Sequence, residues 1–267
     1  MKRTKKFLIV TAVILGLVLG LGGVVSAITF GQPDENQHPN VGAMIVQEPD
    51  GKYYLYCSGT LIAPDVFLTA SHCTVAAAAY GADPHDVWVT FDPVYDDNAT
   101  LHRGTYYINP NYGHDMHDLH DVAVIILDKP INKKKITPAQ LPPAGLLDDL
   151  EETHELKGQE FVTVGYGRLR NEKTRGPHAM GDAGERYYAE QTFQALKPYW
   201  LQLSMNPSTD NGGTCYGDSG GPHFLGDSDI VASLTVTGDA WCRATDVTYR
   251  LDTDSARAYL SQFVDLP

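Results

Sequence analysis

Three short motifs contain side chains that together could perform nucleophilic catalysis. Gly217-Asp218-Ser219-Gly220-Gly221-Pro222 places a serine in a glycine-rich turn, and Leu68-Thr69-Ala70-Ser71-His72-Cys73 places a histidine before a cysteine. Asp121 opens a third motif, an apolar run. Chance alone predicts on the order of 10⁻⁵ copies of the six-residue serine motif in a chain of this length. A serine hydroxyl is a poor nucleophile near neutral pH unless a base takes its proton, so these residue types point to an activated serine.

The three motifs, in the chain order histidine, aspartate, serine, resemble those of chymotrypsin-like (trypsin-type) serine proteases, in particular the bacterial-type secreted members. Two further segments are similar to that family: Ser58-Gly59-Thr60-Leu61-Ile62, and Gly165-Tyr166-Gly167 where the family commonly has Gly-Trp-Gly. The resemblance covers essentially all of residues 28–267. It implies an all-β fold of two six-stranded antiparallel β-barrels with the active site in the cleft between them.

The resemblance also assigns roles to the motif residues. His72 would take the proton of Ser219 and later give it to the leaving amine, while Asp121 would hold the other ring nitrogen of the histidine. The backbone N–H groups of Gly217 and Ser219 would form the oxyanion hole. The chain is therefore expected to be a serine endopeptidase that acts on protein or peptide substrates as a monomer and without a cofactor.

Two other functions remain open at this stage. One is a non-catalytic binding protein built on a protease fold, although such proteins usually lose one of the three residues that this chain retains. The other is a metal-dependent hydrolase that uses the segment 114–121, in which histidine and aspartate side chains are dense. Since the spacing in that segment matches no zinc motif, no metal site is predicted there.

The four cysteines can pair in three ways. The resemblance selects two disulfides, Cys57–Cys73 beside the histidine motif and Cys215–Cys242 beside the specificity pocket. Both bonds are compatible with an exported protein.

The resemblance further implies an activation pair. In the family, a new N-terminal amine inserts beside the aspartate that precedes the catalytic serine. Ile28 occupies the corresponding place here, and Asp218 would be its partner. Because Ala27 and not a basic residue precedes Ile28, removal of a signal peptide would itself create the activating amine.

Four residues are predicted to form the substrate pocket by the same resemblance. Gly213 stands where trypsin has the aspartate that selects Arg and Lys. Thr235 would narrow the entrance, and Ser233 would line one wall. Asp246 would lie near the base, or alternatively face solvent, so we expect a mixed preference for the substrate residue before the cleaved bond (P1) that includes Lys or Arg.

The elements that must position these residues are short strands. Runs of β-branched and aromatic residues alternate with Gly, Pro, Asn and Asp, a pattern that is typical of antiparallel sandwiches or barrels and lacks the long helices of a parallel α/β protein. Two halves, 28–135 and 158–251, are joined by a linker with an acidic loop, and capping residues predict a C-terminal helix over 253–263. The predicted strands are 41–46, 53–56, 66–69, 87–91, 106–108, 122–127, 161–164, 186–193, 200–203, 230–236 and 247–251.

Residues 1–27 predict a signal peptide, with a basic start, an apolar stretch and a small-residue cleavage site ending at Ala27. The alternative is an uncleaved membrane anchor formed by residues 7–27, and secretion is favoured because cleavage would free Ile28. Removal of four basic residues would take the net charge of the 267-residue chain from −13 to −17. So acidic a chain lacks the net positive charge that attracts the phosphate backbone, so nucleic acid is excluded as a partner.

Overall fold

The computed structural model describes residues 28–168 and 183–267. The predicted signal peptide, residues 1–27, lies outside the described residues. Within them, none of the helices combines the length and the apolar character that crossing a membrane requires.

The first half of the described chain forms a closed antiparallel barrel in the strand order β2-β3-β4-β7-β6-β5. Its interior is filled by alternating apolar residues such as Val41, Leu68 and Val124, all fully buried. The elements up to its end are β1 (Gln32–Pro33), β2 (Val41–Gln47), β3 (Tyr53–Ala63), β4 (Val66–Thr69), α1 (Ser71–Ala79), β5 (Val87–Thr90), β6 (His102–Tyr107) and β7 (Ala123–Leu127).

The second half forms another sheet, in the order β1-β9-β10-β13-β12-β11-β8. A further pairing of β8 with β9 closes six of these strands into a second barrel, and β1 adds to its edge. The fold predicted from the resemblance, two six-stranded antiparallel barrels, is therefore confirmed. The remaining elements are α2 (Leu146–Glu152), β8 (Glu160–Gly165), β9 (Tyr187–Leu196), β10 (Trp200–Ser204), β11 (Pro222–Leu225), β12 (Val231–Gly238), β13 (Thr245–Arg250) and α3 (Asp254–Leu260).

Both halves contribute to one continuous apolar core. Val164 and Phe224 of the second barrel pack in the same cluster as Phe67 and Leu68 of the first. The C-terminal helix α3 begins where its sequence predicts, because the Thr253 hydroxyl accepts a hydrogen bond from the Ala256 N–H. Tyr259 of this helix donates to the Tyr107 carbonyl, so α3 docks on the first barrel although it follows the second.

A buried arginine joins the N-terminal segment to both barrels. Arg186 is 1 % exposed, and its guanidinium donates to Asp34 at 2.8 Å, to the carbonyls of Val41 and Phe91 at 2.9 Å, and to the Tyr166 hydroxyl at 3.0 Å. Burial pushes the pKa of Asp34 upward, but the contacts with His38 and Arg186 outweigh it and lower the pKa. Because the charged pair is hydrogen-bonded throughout, its burial is tolerated.

Candidate active site

The histidine and the aspartate are brought together by strand pairing in the first barrel. Strand β4 pairs with β7 so that Thr69 lies opposite Ala123. His72, in the first turn of α1, and Asp121 lie just beyond these positions. Asp121 is 1 % exposed and uses both carboxylate oxygens on the histidine: Oδ2 lies 2.7 Å from Nδ1, and Oδ1 accepts from the backbone N–H at 2.8 Å.

This arrangement fixes the orientation of the imidazole. Nδ1 lies against a carboxylate that can only accept a hydrogen bond, so Nδ1 carries the proton and Nε2 is left as the basic nitrogen. The His72 side chain is 28 % exposed. A partly open imidazole with a buried carboxylate behind it has the geometry of a general base.

The serine lies in a tight turn that packs against the residues preceding His72. At Gly220, where φ is +77°, an added Cβ would lie 2.3 Å from Thr69 Oγ1 and 2.7 Å from the Ala70 nitrogen. Only glycine permits this approach. The Ser219 carbonyl accepts a hydrogen bond from the Ser58 N–H at 2.9 Å. The turn therefore holds Ser219 beside the segment that carries the histidine.

The same turn presents two backbone donors. Gly217 adopts a φ of +102°, which favours glycine. The Asp218 N–H donates to the Cys215 carbonyl, and the Gly221 N–H donates to the Asp218 carbonyl. These local hydrogen bonds fix the backbone of the turn. In the described ranges, no hydrogen bond engages the N–H of Gly217 or of Ser219. These are the two donors that the sequence assigns to the oxyanion hole.

Both predicted disulfides are present. Cys57 is bonded to Cys73 and Cys215 to Cys242. The first bond joins β3 to α1 next to His72, and the second joins the serine turn to the segment between β12 and β13.

The N-terminal segment docks on the stretch that leads into the serine turn. Thr29 and Gly213 exchange backbone hydrogen bonds of 2.8 and 2.9 Å, and Ile28 is fully buried. Asp218 is also fully buried, and its carboxylate accepts from the N–H groups of Gly167 and Cys215 at 2.7 and 2.8 Å. Burial raises the pKa of Asp218 to about 7 despite these two bonds. A buried carboxylate of this kind is stabilised by a nearby cation.

A cavity of about 310 Å³ opens beside Ser219. Thr235 lines this cavity, together with Thr214, Tyr216 and the disulfide residues Cys215 and Cys242. Two other predicted pocket residues lie deeper. Gly213 is covered, since a Cβ there would meet Met205 Cγ at 2.2 Å, and the Ser233 hydroxyl is buried and accepts from Thr248.

Asp246 lies fully buried directly behind Thr214. Its Oδ2 accepts from the Thr214 hydroxyl at 2.7 Å and from the Gln191 amide at 3.0 Å. Its Oδ1 has no hydrogen-bond partner in the part of the chain that the structure describes. The Thr214 hydroxyl is thus a cavity-lining group that this carboxylate binds directly.

His223 is a neighbour of Asp246 that the sequence analysis missed. Its Nε2 lies 3.0 Å from Thr235 Oγ1 and 3.7 Å from Asp246 Oδ2. Burial lowers the pKa of this histidine although Asp246 opposes the shift. Its position near the start of β11, directly after the serine motif, could have indicated an inward-facing side chain, because alternate residues of that strand face the barrel interior.

One carboxylate of the segment 114–121 has a structural role. Asp118 is buried, and its Oδ1 accepts from the Tyr249 hydroxyl at 2.6 Å. Across residues 28–168 and 183–267, three or more metal-type ligand atoms converge only at Cys57, His72 and Cys73. Two of these three are joined in a disulfide, so that group is not a set of free ligands.

Comparisons with known proteins agree on one family. The family model described as Trypsin matches residues 28–253. A trypsin from Saccharopolyspora erythraea is 30% identical over 190 residues, which are 69% of this chain and 75% of that protein. The thrombin-like enzyme acutin from Deinagkistrodon acutus is 29% identical over 171 residues, covering 62% of this chain and 68% of that protein.

A solved structure supports the fold independently. HL collagenase superimposes with a TM-score of 0.64 over 90% of this chain and 97% of that chain. Its sequence identity is 18%, so this likeness concerns the architecture alone.

Proposed function

Because the chain belongs to the trypsin family of serine proteases, we propose that it is a secreted endopeptidase that hydrolyses peptide bonds through an acyl-enzyme on Ser219. The observation that carries the proposal is the double contact of Asp121 with His72, at 2.7 and 2.8 Å, next to the serine turn. Protein or peptide substrates, a monomeric state and the absence of a cofactor belong to the same proposal.

In the proposed mechanism, Nε2 of His72 removes the Ser219 proton as the hydroxyl attacks the substrate carbonyl. The buried carboxylate of Asp121 stabilises the imidazolium that forms and keeps the ring in place. The same nitrogen then gives the proton to the leaving amine. Water repeats the sequence on the acyl-enzyme and releases the acid product.

The charge that develops on the carbonyl oxygen would be bound by the N–H groups of Gly217 and Ser219. Each such donor is worth about 3–4 kcal/mol to the transition state in comparable enzymes. Their support is rigid, because the peptide units around them are already hydrogen-bonded within the turn.

Activation would occur when a signal peptide is removed after Ala27. The new amine of Ile28 would pair with Asp218, whose burial leaves a charge in need of a partner. Docking of Thr29 on Gly213 supports this, since it holds the segment on the stretch that leads into the serine turn. One cut would both export the protein and complete the oxyanion hole.

For substrate choice, we propose that a cationic P1 side chain is favoured through Thr214. The Thr214 hydroxyl donates to Asp246, so its lone pairs face the cavity and can accept from Lys or Arg. Because Asp246 does not touch the substrate directly, the preference is modest, and medium-sized apolar P1 residues are also cleaved.

The test is turnover of a peptide library by the secreted protein and by Ser219→Ala, with labelling by a serine-directed fluorophosphonate. Wild type should cleave and label, and the variant should do neither while unfolding at the same temperature. A matched control is Ser228→Ala, an exposed serine in the turn between β11 and β12, whose hydroxyl donates to the Leu225 carbonyl. Turnover by Ser219→Ala at the wild-type rate would refute the assignment, and a folded wild type without labelling would favour the binding-protein alternative.

A further inference from the structure

Ser58 is a buried hydroxyl residue that the mechanism above does not use. It lies on β3 directly after Cys57, and it is fully buried. All of its hydrogen-bonding groups are occupied. Its carbonyl accepts from the Thr69 hydroxyl at 2.9 Å, and its other three bonds lead to the serine turn and to the end of β8.

Two of these bonds bracket the serine turn. The Ser58 N–H donates to the Ser219 carbonyl at 2.9 Å, and the Ser58 hydroxyl donates to the Gly217 carbonyl at 3.0 Å. The carbonyls on either side of Asp218 are thus held by one residue. The proposed oxyanion donors belong to the peptide units on this same short stretch.

The direction of the hydroxyl proton is determined by its neighbours. The Tyr166 N–H points at Ser58 Oγ from 2.9 Å and can only donate. Ser58 Oγ therefore accepts from Tyr166 and sends its single proton to Gly217. The hydroxyl connects β8 of the second barrel to the oxyanion turn through a residue of the first barrel.

Ser58 is also coupled to the base. Cys57, its chain neighbour, is bonded to Cys73, which follows His72. The dipeptide Cys57-Ser58 thus holds the helix that carries the histidine on one side and the turn that carries Ser219 on the other.

We propose that Ser58 is a positioning residue for the reaction of Ser219, acting through the Gly217 carbonyl. Gly217 adopts a φ of +102° and, as a glycine, has other conformations available at little cost. The Ser58 hydroxyl holds one end of the Gly217–Asp218 peptide, and the bond from the Asp218 N–H to Cys215 holds the other. Without the hydroxyl, the turn can rotate and its N–H donors no longer converge. The inference rests on the proposed function.

The experiment compares Ser58→Ala and Ser58→Gly with Thr90→Val, a matched control. Thr90 is equally buried in the first barrel, and its hydroxyl accepts from the Asp92 N–H, away from the serine turn. Active enzyme is counted by fluorophosphonate titration. Then kcat, KM and the inhibition constant of a peptide aldehyde are measured, because the aldehyde adduct carries an oxygen in the oxyanion position. Peptide binding in the ground state is measured in the Ser219→Ala background.

Both Ser58 variants should lose about 10- to 50-fold in kcat, less than the 10²–10³-fold cost of deleting a donor. KM and ground-state binding should stay within twofold, and aldehyde affinity should fall in parallel with kcat. Thr90→Val should keep its kcat. A folded Ser58 variant with kcat within twofold of wild type, or with an effect confined to KM or to the fraction of active enzyme, would overturn the inference. If wild type neither cleaves nor labels, the proposed function itself fails.

Discussion

Removal of the segment before Ile28 should stabilise the folded chain as well as activate it. In an uncleaved chain the Ile28 nitrogen is an uncharged amide. Among the residues that the structure describes, the buried Asp218 carboxylate then accepts hydrogen bonds only from the N–H groups of Gly167 and Cys215. In the processed chain the same nitrogen is an ammonium group at the N-terminus. The perturbation is therefore a single peptide bond.

The magnitude follows from the pKa of Asp218. It is raised from its usual 3.8 to about 7 by burial, a shift of about three units, and each unit corresponds to 1.36 kcal/mol. For a raised carboxyl pKa, the contribution to stability is full below the unfolded value and is lost as the pH climbs from 3.8 to about 7. At pH 8 the uncleaved chain thus bears a penalty of about 4 kcal/mol that the paired ammonium would offset.

The assay compares two chains, one beginning at Ile28 and one carrying a single alanine before it. Urea unfolding should show nearly equal stability at pH 4 and an advantage of about 3–4 kcal/mol for the shorter chain at pH 8. The advantage should shrink at higher pH, because pairing raises the pKa of the amine and its charge is lost only above that value. The peptidase activity of the shorter chain should likewise exceed that of the extended chain most clearly at pH 8.

A control pair carries Asp218→Asn, which removes the buried charge. In that background the extra alanine should no longer change stability with pH. If the extended chain has full activity and the same stability as the shorter chain at pH 8, the proposed activation pair is wrong.

Three other outcomes are expected. Asp121→Asn should lower kcat by about 10⁴-fold with little change in unfolding temperature, because the histidine then takes the wrong tautomer; a loss below tenfold would contradict the triad. Asp246→Asn should lower the ratio of kcat/KM for Lys to kcat/KM for Leu at P1 about tenfold, or about 1.4 kcal/mol. Thr214→Val should have the same effect, and the double variant should lose no more than either single variant; additive losses would refute the action of Asp246 through Thr214. Arg186→Met should destabilise the fold by about 3–5 kcal/mol, because the buried Asp34 carboxylate loses its guanidinium partner and retains its contacts with His38. Urea unfolding of the double variant with Asp34→Asn should show part of that loss recovered; no recovery would mean that the charge pairing is not the cause.

Many of the strands could be predicted because short runs of β-branched and aromatic residues favour the extended conformation, whereas the two-barrel arrangement was implied by the family resemblance. The run 66–69 coincides with β4, and the helix predicted over 253–263 contains α3 (Asp254–Leu260). The helix α2 (Leu146–Glu152) was missed within the predicted linker. One N–H group in its first turn, that of Leu147, is capped by the side chain of Asp252. A cap 105 residues away leaves no local pattern to detect.

The candidate site divides in the same way. Roles for the motif residues could be proposed from the sequence and its family resemblance, because a nucleophile, a base and an oxyanion turn require particular residue types. The residues that surround and support these motifs could not be predicted, since their contacts depend on which side chains the closed barrels bring together. His223 and Gln191 meet Asp246 only because β9, β11 and β13 belong to one barrel. Ser58 would pass as an ordinary strand residue without the contacts to Gly217 and Tyr166.

The buried arginine at the barrel junction sets a rule for recombining this chain with its relatives. Arg186 precedes β9 in the second half, whereas its anionic partner Asp34 lies near the N-terminus and two of the carbonyls that it binds, those of Val41 and Phe91, belong to the first half. A chimaera that exchanges one barrel at the linker would therefore separate a charged donor from its acceptors. Such a chimaera must therefore keep the Asp34–Arg186 pair intact, so the two halves depend on each other although each closes its own barrel.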